Sequence, residues 1–475
     1  MGEGSVDAVV VGSGPNGLVA AVTLAMAGRS VVVLEAEPTI GGGTRSAELT
    51  LPGFVHDVCS AVHPLGAGSP VMRSLPLANH GLRWLHPDVV LSHPLDVGRA
   101  GLVYRDVGAT ATRLGEDRDS WVRKIAVHAD RWERLLPMLM RPLVQLPHHP
   151  ATLAGFGIPA LAPAGALGNR WFRGDEARAI FAGCAAHAFL PLSKPMTAGF
   201  GMVLLAAAHA VGWPVAEGGS QSIADALVSL LRESGGTIET GRRVTSYADI
   251  PSARAVLFDI APGQVAAIAG SRLSARYRKR LDQFRHGPGV FKIDYALDGP
   301  VPWINEGTRQ AGTVHVCGNA GEVALAEAEV ALGRHPLRPF VLVAQQSVID
   351  PSRAPTGKHT LWAYCHVPNG STLDMTEAIE NQIERFAPGF RDLVLARHIA
   401  NSAWFEAHDA AYVGGDIGGG ANDAMQLLFR PFVGRPYRTP DPMILMCSAS
   451  TPPGGGVHGM CGYNAAQAAL RGPLR

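Results

Sequence analysis

Neither sign of charge is in surplus in this sequence: 41 lysines and arginines stand against 40 aspartates and glutamates, with no basic run to break the balance. Nucleic acid is held mainly by clustered cations, so it is excluded as a partner. Cysteine is scarce. Cys59, Cys184, Cys317, Cys365, Cys447 and Cys461 show no Cys-x-x-Cys or zinc-ligand spacing, so reduced thiols in a reducing, cytoplasmic setting are expected. The N-terminus enters a strand at Val6 without the charged region, apolar core and cleavage site of a signal peptide, so secretion is not expected. Only Met196 to Trp213 approaches a membrane-spanning length free of charge. It is glycine-rich, contains His209 and lacks basic flanks, and reads as a buried helix. There is no His-Glu-x-x-His, nucleophile elbow, P-loop or EF-hand. His148-His149 stands alone, so no metal site is expected.

What is present is a large apolar fraction, 47% hydrophobic against 17% charged, enough for an extensive core in one large or two interleaved domains. Asp7 to Val11, a glycine turn, an alanine-rich run stopped by Gly28, and Val31 to Glu35 read as strand, helix and strand. From about Trp84 to Trp213 the pattern turns helical and proline-punctuated. Gly218-Gly219-Ser220 opens a further helix, followed by short strands near Ile238 and Val256. In Phe291 to Asp298, Phe291, Ile293, Tyr295 and Leu297 alternate with mostly polar neighbours, predicting a strand with one face buried and one exposed. More strands follow to Val367, then a helix over Met375 to Ala387 with Asp374 and Glu377 as a capping box. Met443 to Cys447 reads as a buried strand feeding a last helix near Asn464 to Leu470. The fold class is α/β, with an α+β second domain. Residues 1–83, 214–288 and 411–475 are segments of one three-layer nucleotide domain, 84–213 is a mostly helical insertion, and 289–410 is an antiparallel-sheet substrate domain.

Gly12, Ser13, Gly14, Pro15, Asn16 and Gly17 lie between the first strand and helix. That spacing supplies a tight turn, close approach of a pyrophosphate and helix-on-strand packing. Glu35, followed by Ala36, ends the second strand where a carboxylate meets a ribose hydroxyl. Gly41, Gly42, Gly43, Thr44 and Arg45 add amides and a guanidinium near the phosphates, which favours FAD over NAD. The spacing of these blocks resembles that of phytoene-desaturase-like flavoproteins, whose architecture is similar to that of amine oxidases. The likeness covers most of the chain. It is nearest the branch resembling pyridine nucleotide-disulphide oxidoreductase domain-containing protein 2, although no redox cysteine pair and no second strand-GxGxxG-helix unit for NAD(P)H is present.

The resemblance implies an FAD-binding Rossmann-like domain and a second flavin segment in Cys447 to Leu470, where Ser448, Val457, His458 and Met460 approach the flavin. A helix start there would stabilise negative charge on the reduced ring. It also implies an adenine contact through the Val244 backbone and a place near the ring for Val62 and His63. His458 and His63 are the candidate acid–base groups; a structural histidine is the competing reading of each. Tyr364, His366 and Asp416 are candidate substrate contacts, weighed against core packing and a turn-forming aspartate. The expected activity is dehydrogenation or desaturation of a hydrophobic, isoprenoid or lipid-like molecule, with hydride passing to flavin N5 and then to a quinone or oxygen. Peripheral membrane contact is expected from the relatives. Two alternatives stay open: a reduced-FAD saturase or double-bond isomerase, and a flavin-binding interaction protein without turnover.

Overall fold

The computed structural model describes residues 5–144, 146–431 and 435–475. The valine run of Val6–Val11 forms the central strand of a five-stranded parallel sheet, since β-branched side chains suit a pleated surface buried on both faces. The strand order is Ile444–Met446, Ala253–Phe258, Val6–Val11, Val31–Leu34 and Thr237–Glu239. Val9 stands opposite Val256 on one side and Val32 on the other. Helices Pro15–Met26, Gln221–Glu233 and Met460–Leu470 pack on the face that carries Ala8 and Val10. Helices Pro262–Ala269 and Ala275–Asp282 cover the face of Val9 and Val11. This is a three-layer α/β domain assembled from three separated stretches of chain.

The second sheet has seven strands, in the order Val394–Ala400, Gly289–Leu297, His359–Val367, Val341–Ala344, Ala311–Val316, Val89–Pro94 and Ala100–Val103. Neighbours are antiparallel except Ala311–Val316 and Val89–Pro94, which run parallel. The last two strands of that order lie in the stretch read from sequence as helical. Val89–Pro94 mixes Ser92, His93 and Pro94 with three apolar residues, so no alternation marks it; it pairs with nearby Ala100–Val103 on one side and with distant Ala311–Val316 on the other. The stretch is otherwise helical, and Thr197–Ala210 is a buried helix within Met196 to Trp213. A two-stranded ladder, Trp84 opposite Ala216 and Leu85 opposite Val215, ties the two ends of the insertion together.

The strand Gly289–Leu297 departs from the one-sided burial predicted by its alternation: all nine residues are buried. Helix Thr376–Phe386 packs on the side of Phe291, Ile293 and Tyr295. Helices Asp175–Ala186 and Thr197–Ala210 cover the side of Val290, Trp362 and Tyr364. The polar residues tolerate this because they pair with each other: the Lys292 ammonium meets the Asp294 carboxylate, and a buried charge persists only when so matched. The predicted capping box at Asp374 is a simpler cap, with Asp374 Oδ1 accepting from Thr376 N at 2.8 Å.

The domains are joined by buried charge. Arg353 donates to Asp57 at 3.2 Å and to Asp350 at 2.9 Å, and reaches the Ala216 carbonyl at 3.2 Å. Asp57 also accepts from Ser220 N at 2.7 Å and Ser46 Oγ at 2.8 Å. These bonds tie the start of helix Gln221–Glu233 to the second sheet.

Candidate cofactor site

A cavity of about 360 Å³ opens at the carboxyl ends of the parallel strands, the place where open α/β sheets hold their ligands. Its wall is drawn from distant parts of the chain: the loop after Val11, the turn after Leu34, Arg242 to Thr245, Asp259 to Ala261, His408 to Tyr412, and Ser448 to Ser450. The glycine loop is shaped by contacts that a side chain would destroy. Gly12 has φ +101°, and a Cβ there would sit 2.8 Å from the Asp259 carbonyl. A Cβ on Gly42 would press the Gly14 Cα at 3.1 Å, so two glycine turns lie against each other.

Twelve of the residues singled out from sequence meet in this wall: Gly12, Ser13, Gly14, Pro15, Asn16, Glu35, Ala36, Gly42, Gly43, Arg45, Val244 and Ser448. Glu35 is spent on protein donors. Its carboxylate accepts from Ser13 N at 2.9 Å, Ser13 Oγ at 2.5 Å and Glu37 N at 2.9 Å, with Arg45 at 3.4 Å. Arg45 further donates to the carbonyls of Thr39 and His408. Thr44 turns away and donates to Gly41 O at 2.8 Å. Gly17 is closed off by Asp259, whose Oδ2 accepts its N–H at 2.7 Å.

The other sequence candidates lie off the cavity. His458 serves its own turn: Nδ1 accepts from Met460 N at 3.0 Å, and the carbonyls of Gly454 and Gly455 face its ring. Val457, at φ +55°, and Gly459, at φ +69°, set that turn before helix Met460–Leu470. His63 Nε2 meets Ser220 Oγ at 2.8 Å and Nδ1 faces Ser60 Oγ at 3.4 Å. Because Ser220 Oγ donates to Ser60 O, the His63 proton is on Nε2. Burial holds both imidazoles down at about 4, so they are neutral near pH 7. Val62 packs at the edge of the apolar cluster under the helical insertion. Asp416 shapes a turn, accepting from Gly287 N and Gly418 N at 2.8 Å each.

Tyr364 and His366 point with Trp362 into the space between the second sheet and the helices, in a row of rings with centroids 4.8 and 5.7 Å apart. His366 Nδ1 sits 2.8 and 2.9 Å from the two oxygens of Glu327, while Nε2 is buried without a partner among the described residues. Phe189, at φ +56°, lies over the imidazole with centroids 4.0 Å apart and planes tilted by 33°. Lys292 lies 5.8 Å over the Trp362 ring.

Four acidic or basic groups of these walls have no motif to announce them: Lys292, Glu327, Asp259 and Asp409. Lys292 and Asp294 look like the wet side of an alternating strand, and Glu327 like any helical carboxylate. Asp259 alone carries a local signal, as a charge that directly follows the apolar run of Ala253–Phe258.

The shape and the unpartnered polar atoms of the cavity fit FAD. The glycine hollow admits a pyrophosphate backbone-close, and the buried Asn16 Oδ1 and Ser448 Oγ, both in residues of the wall, lack partners among the described residues. Those atoms come from opposite ends of the chain, so an elongated dinucleotide would touch both.

Residues 10–75 match the NAD(P)-binding Rossmann-like domain family. The chain is 27% identical to pyridine nucleotide-disulfide oxidoreductase domain-containing protein 2 of Rattus norvegicus, over 98% of this chain and 93% of that protein. It is 25% identical to phytoene dehydrogenase of Streptomyces griseus, over 83% of this chain and 78% of that one. The structure of wild-type putrescine oxidase bound to putrescine superposes with a TM-score of 0.59, at 17% identity and 98% coverage of both chains. The chain thus carries a Rossmann-like dinucleotide-binding segment near its N-terminus, is similar along most of its length to proteins named as oxidoreductase or dehydrogenase, and shares the overall fold of putrescine oxidase.

Proposed function

We propose that the protein is an FAD-dependent oxidoreductase that dehydrogenates or desaturates an apolar, isoprenoid- or lipid-like molecule and passes the electrons to a quinone or oxygen. One observation carries this reading. A single apolar cluster runs from Cys59, Ala61 and Tyr412, beside the cofactor cavity, through Trp213 and Phe340 to Trp362 and Tyr364 on the second sheet. Such a wall excludes water and orients a molecule by shape, which is what hydride transfer asks of the protein. The relationship to a phytoene dehydrogenase supports the same substrate class.

Bound FAD supplies the hydride-accepting ring; the chain supplies the surroundings. Lys292, paired with the Asp294 carboxylate in a dry wall, favours negative charge that develops near it. Glu327 orients the His366 imidazole through Nδ1 and leaves Nε2 to exchange a proton with a substrate group.

The test is the visible spectrum of the FAD-loaded protein under anaerobic conditions. Apolar polyenes or lipid-like substrates are expected to bleach the flavin, whereas NADPH and NADH are not. Bleaching by a nicotinamide, with no response to apolar molecules, would reverse the direction of the reaction and overturn the reading.

A further inference from the structure

Asp259 follows the strand Ala253–Phe258 and reaches the hollow of the glycine loop. A Cβ on Gly12 would meet its carbonyl at 2.8 Å, and Cβ atoms on Gly14 and Gly17 would meet Oδ2 at 2.7 and 2.9 Å. Oδ2 accepts the Gly17 N–H at 2.7 Å. Oδ1 has no hydrogen-bond partner among the described residues, and the side chain is half-buried in the cavity wall.

The loop is short of donors for an anion. Pro15 opens the helix without an N–H, and the Gly17 N–H is spent on Asp259. The neighbourhood is also rich in negative charge. Glu35, Glu37 and Asp409 line the same cavity. Of the cations there, Arg45 is matched to Glu35 and Arg243 to Glu37, leaving Arg242 without a carboxylate partner among the described residues. His408, beside Arg45, is held down at about 4 and is uncharged. The thiols of Cys447 and Cys461 behind Asp259 are pushed up by burial and stay protonated. A pyrophosphate with two negative charges, placed at this helix start, would face an ionised Asp259 across the same hollow.

We propose that Asp259 is a proton-carrying member of the pyrophosphate site: as a neutral acid it keeps the Gly17 N–H on Oδ2 and donates its Oδ1–H to a phosphate oxygen. The proposal rests on the FAD reading. Burial already lifts the carboxyl to about 8, with Asp409 and Glu35 pushing the same way. The bound anion raises it further, so binding above that pH takes up a proton from solution. No covalent bond changes; one proton moves from solvent to Oδ1.

FAD binding to the apo-protein, followed by quenching of flavin fluorescence, tests this. The dissociation constant is expected to be level near pH 6.5 and to rise towards about tenfold per pH unit above pH 8. Calorimetry at about pH 8.5 in two buffers of different ionisation enthalpy should register proton uptake. Asp259→Asn, which keeps an acceptor for Gly17 but carries no charge, should remove the pH dependence and bind more tightly than the natural chain at about pH 9.5. A level dissociation constant with no proton uptake, or an unaltered pH dependence in D259N, would overturn the proposal. If D259N does not fold, the proton count on the natural chain decides alone. Failure to bind FAD at any pH would instead overturn the cofactor reading, and Asp259's role with it.

Discussion

His63 and His458 are neutral imidazoles, with ring nitrogens committed to Ser220 and Ser60 in one case and to the Gly454–Met460 turn in the other. Burial lowers both to about 4, whereas the unfolded chain titrates near 6.5. Between those values the unfolded state binds more protons, so stability is full above about pH 6.5 and falls as pH drops towards 4. Each can contribute up to about 3 kcal/mol of that loss. The urea midpoint should therefore fall steeply between pH 6.5 and pH 4.5, and less steeply in His63→Gln; a level midpoint would show that these rings are not buried neutral. The glycine loop was legible in sequence because three glycines at fixed spacing between strand and helix leave few geometries. The histidines' tasks were not, because a task depends on what touches two ring nitrogens, here supplied by Ser220 and by the backbone. Lys292 was hidden for a similar reason, since an alternating strand cannot announce that its polar face is covered too.

Helix Met460–Leu470 is placed by its contact with helix Pro15–Met26. A Cβ on Gly462 would lie 1.8 Å from the Asn16 carbonyl oxygen, so only glycine lets the two helices come this close. Gly462→Ala should cost about 1–3 kcal/mol by forcing them apart, and it should loosen the wall that holds Ser448, releasing FAD on gel filtration. Gly157→Ala, in helix Pro150–Ala160 with nothing within 4 Å of the added methyl, should leave the melting temperature level or raise it. Equal effects from the two would remove the close-approach argument. At this scale the strand-turn-helix at the C-terminus could be read from its sequence, and the helix starts at Met460, within the stretch expected to hold its N-terminus. The strands Val89–Pro94 and Ala100–Val103 escaped because their partners, not their own sequence, make them strands.

Across the molecule as a whole, no single helix among the described residues is long and apolar enough to cross a membrane. Helix Pro150–Ala160 is nevertheless largely uncovered, with Ile158 73% exposed, and Val144, Leu146 and Leu161 are exposed nearby. An apolar surface of this kind suits the interface of a bilayer. The protein is expected to float with vesicles of phosphatidylcholine and phosphatidylglycerol, and Ile158→Asp to reduce flotation; a protein left wholly at the bottom of the gradient would count against peripheral binding. The parallel sheet carries a different consequence. Its edge strand, Ile444–Met446, is made late and pairs with Ala253–Phe258. On a ribosome adding about 5–20 residues per second, the stretch between them takes roughly 10–40 s to emerge. Throughout that interval the nascent domain presents an open β edge, a template for pairing with other chains, so the last strand acts as the lid on an aggregation hazard built into the order of synthesis.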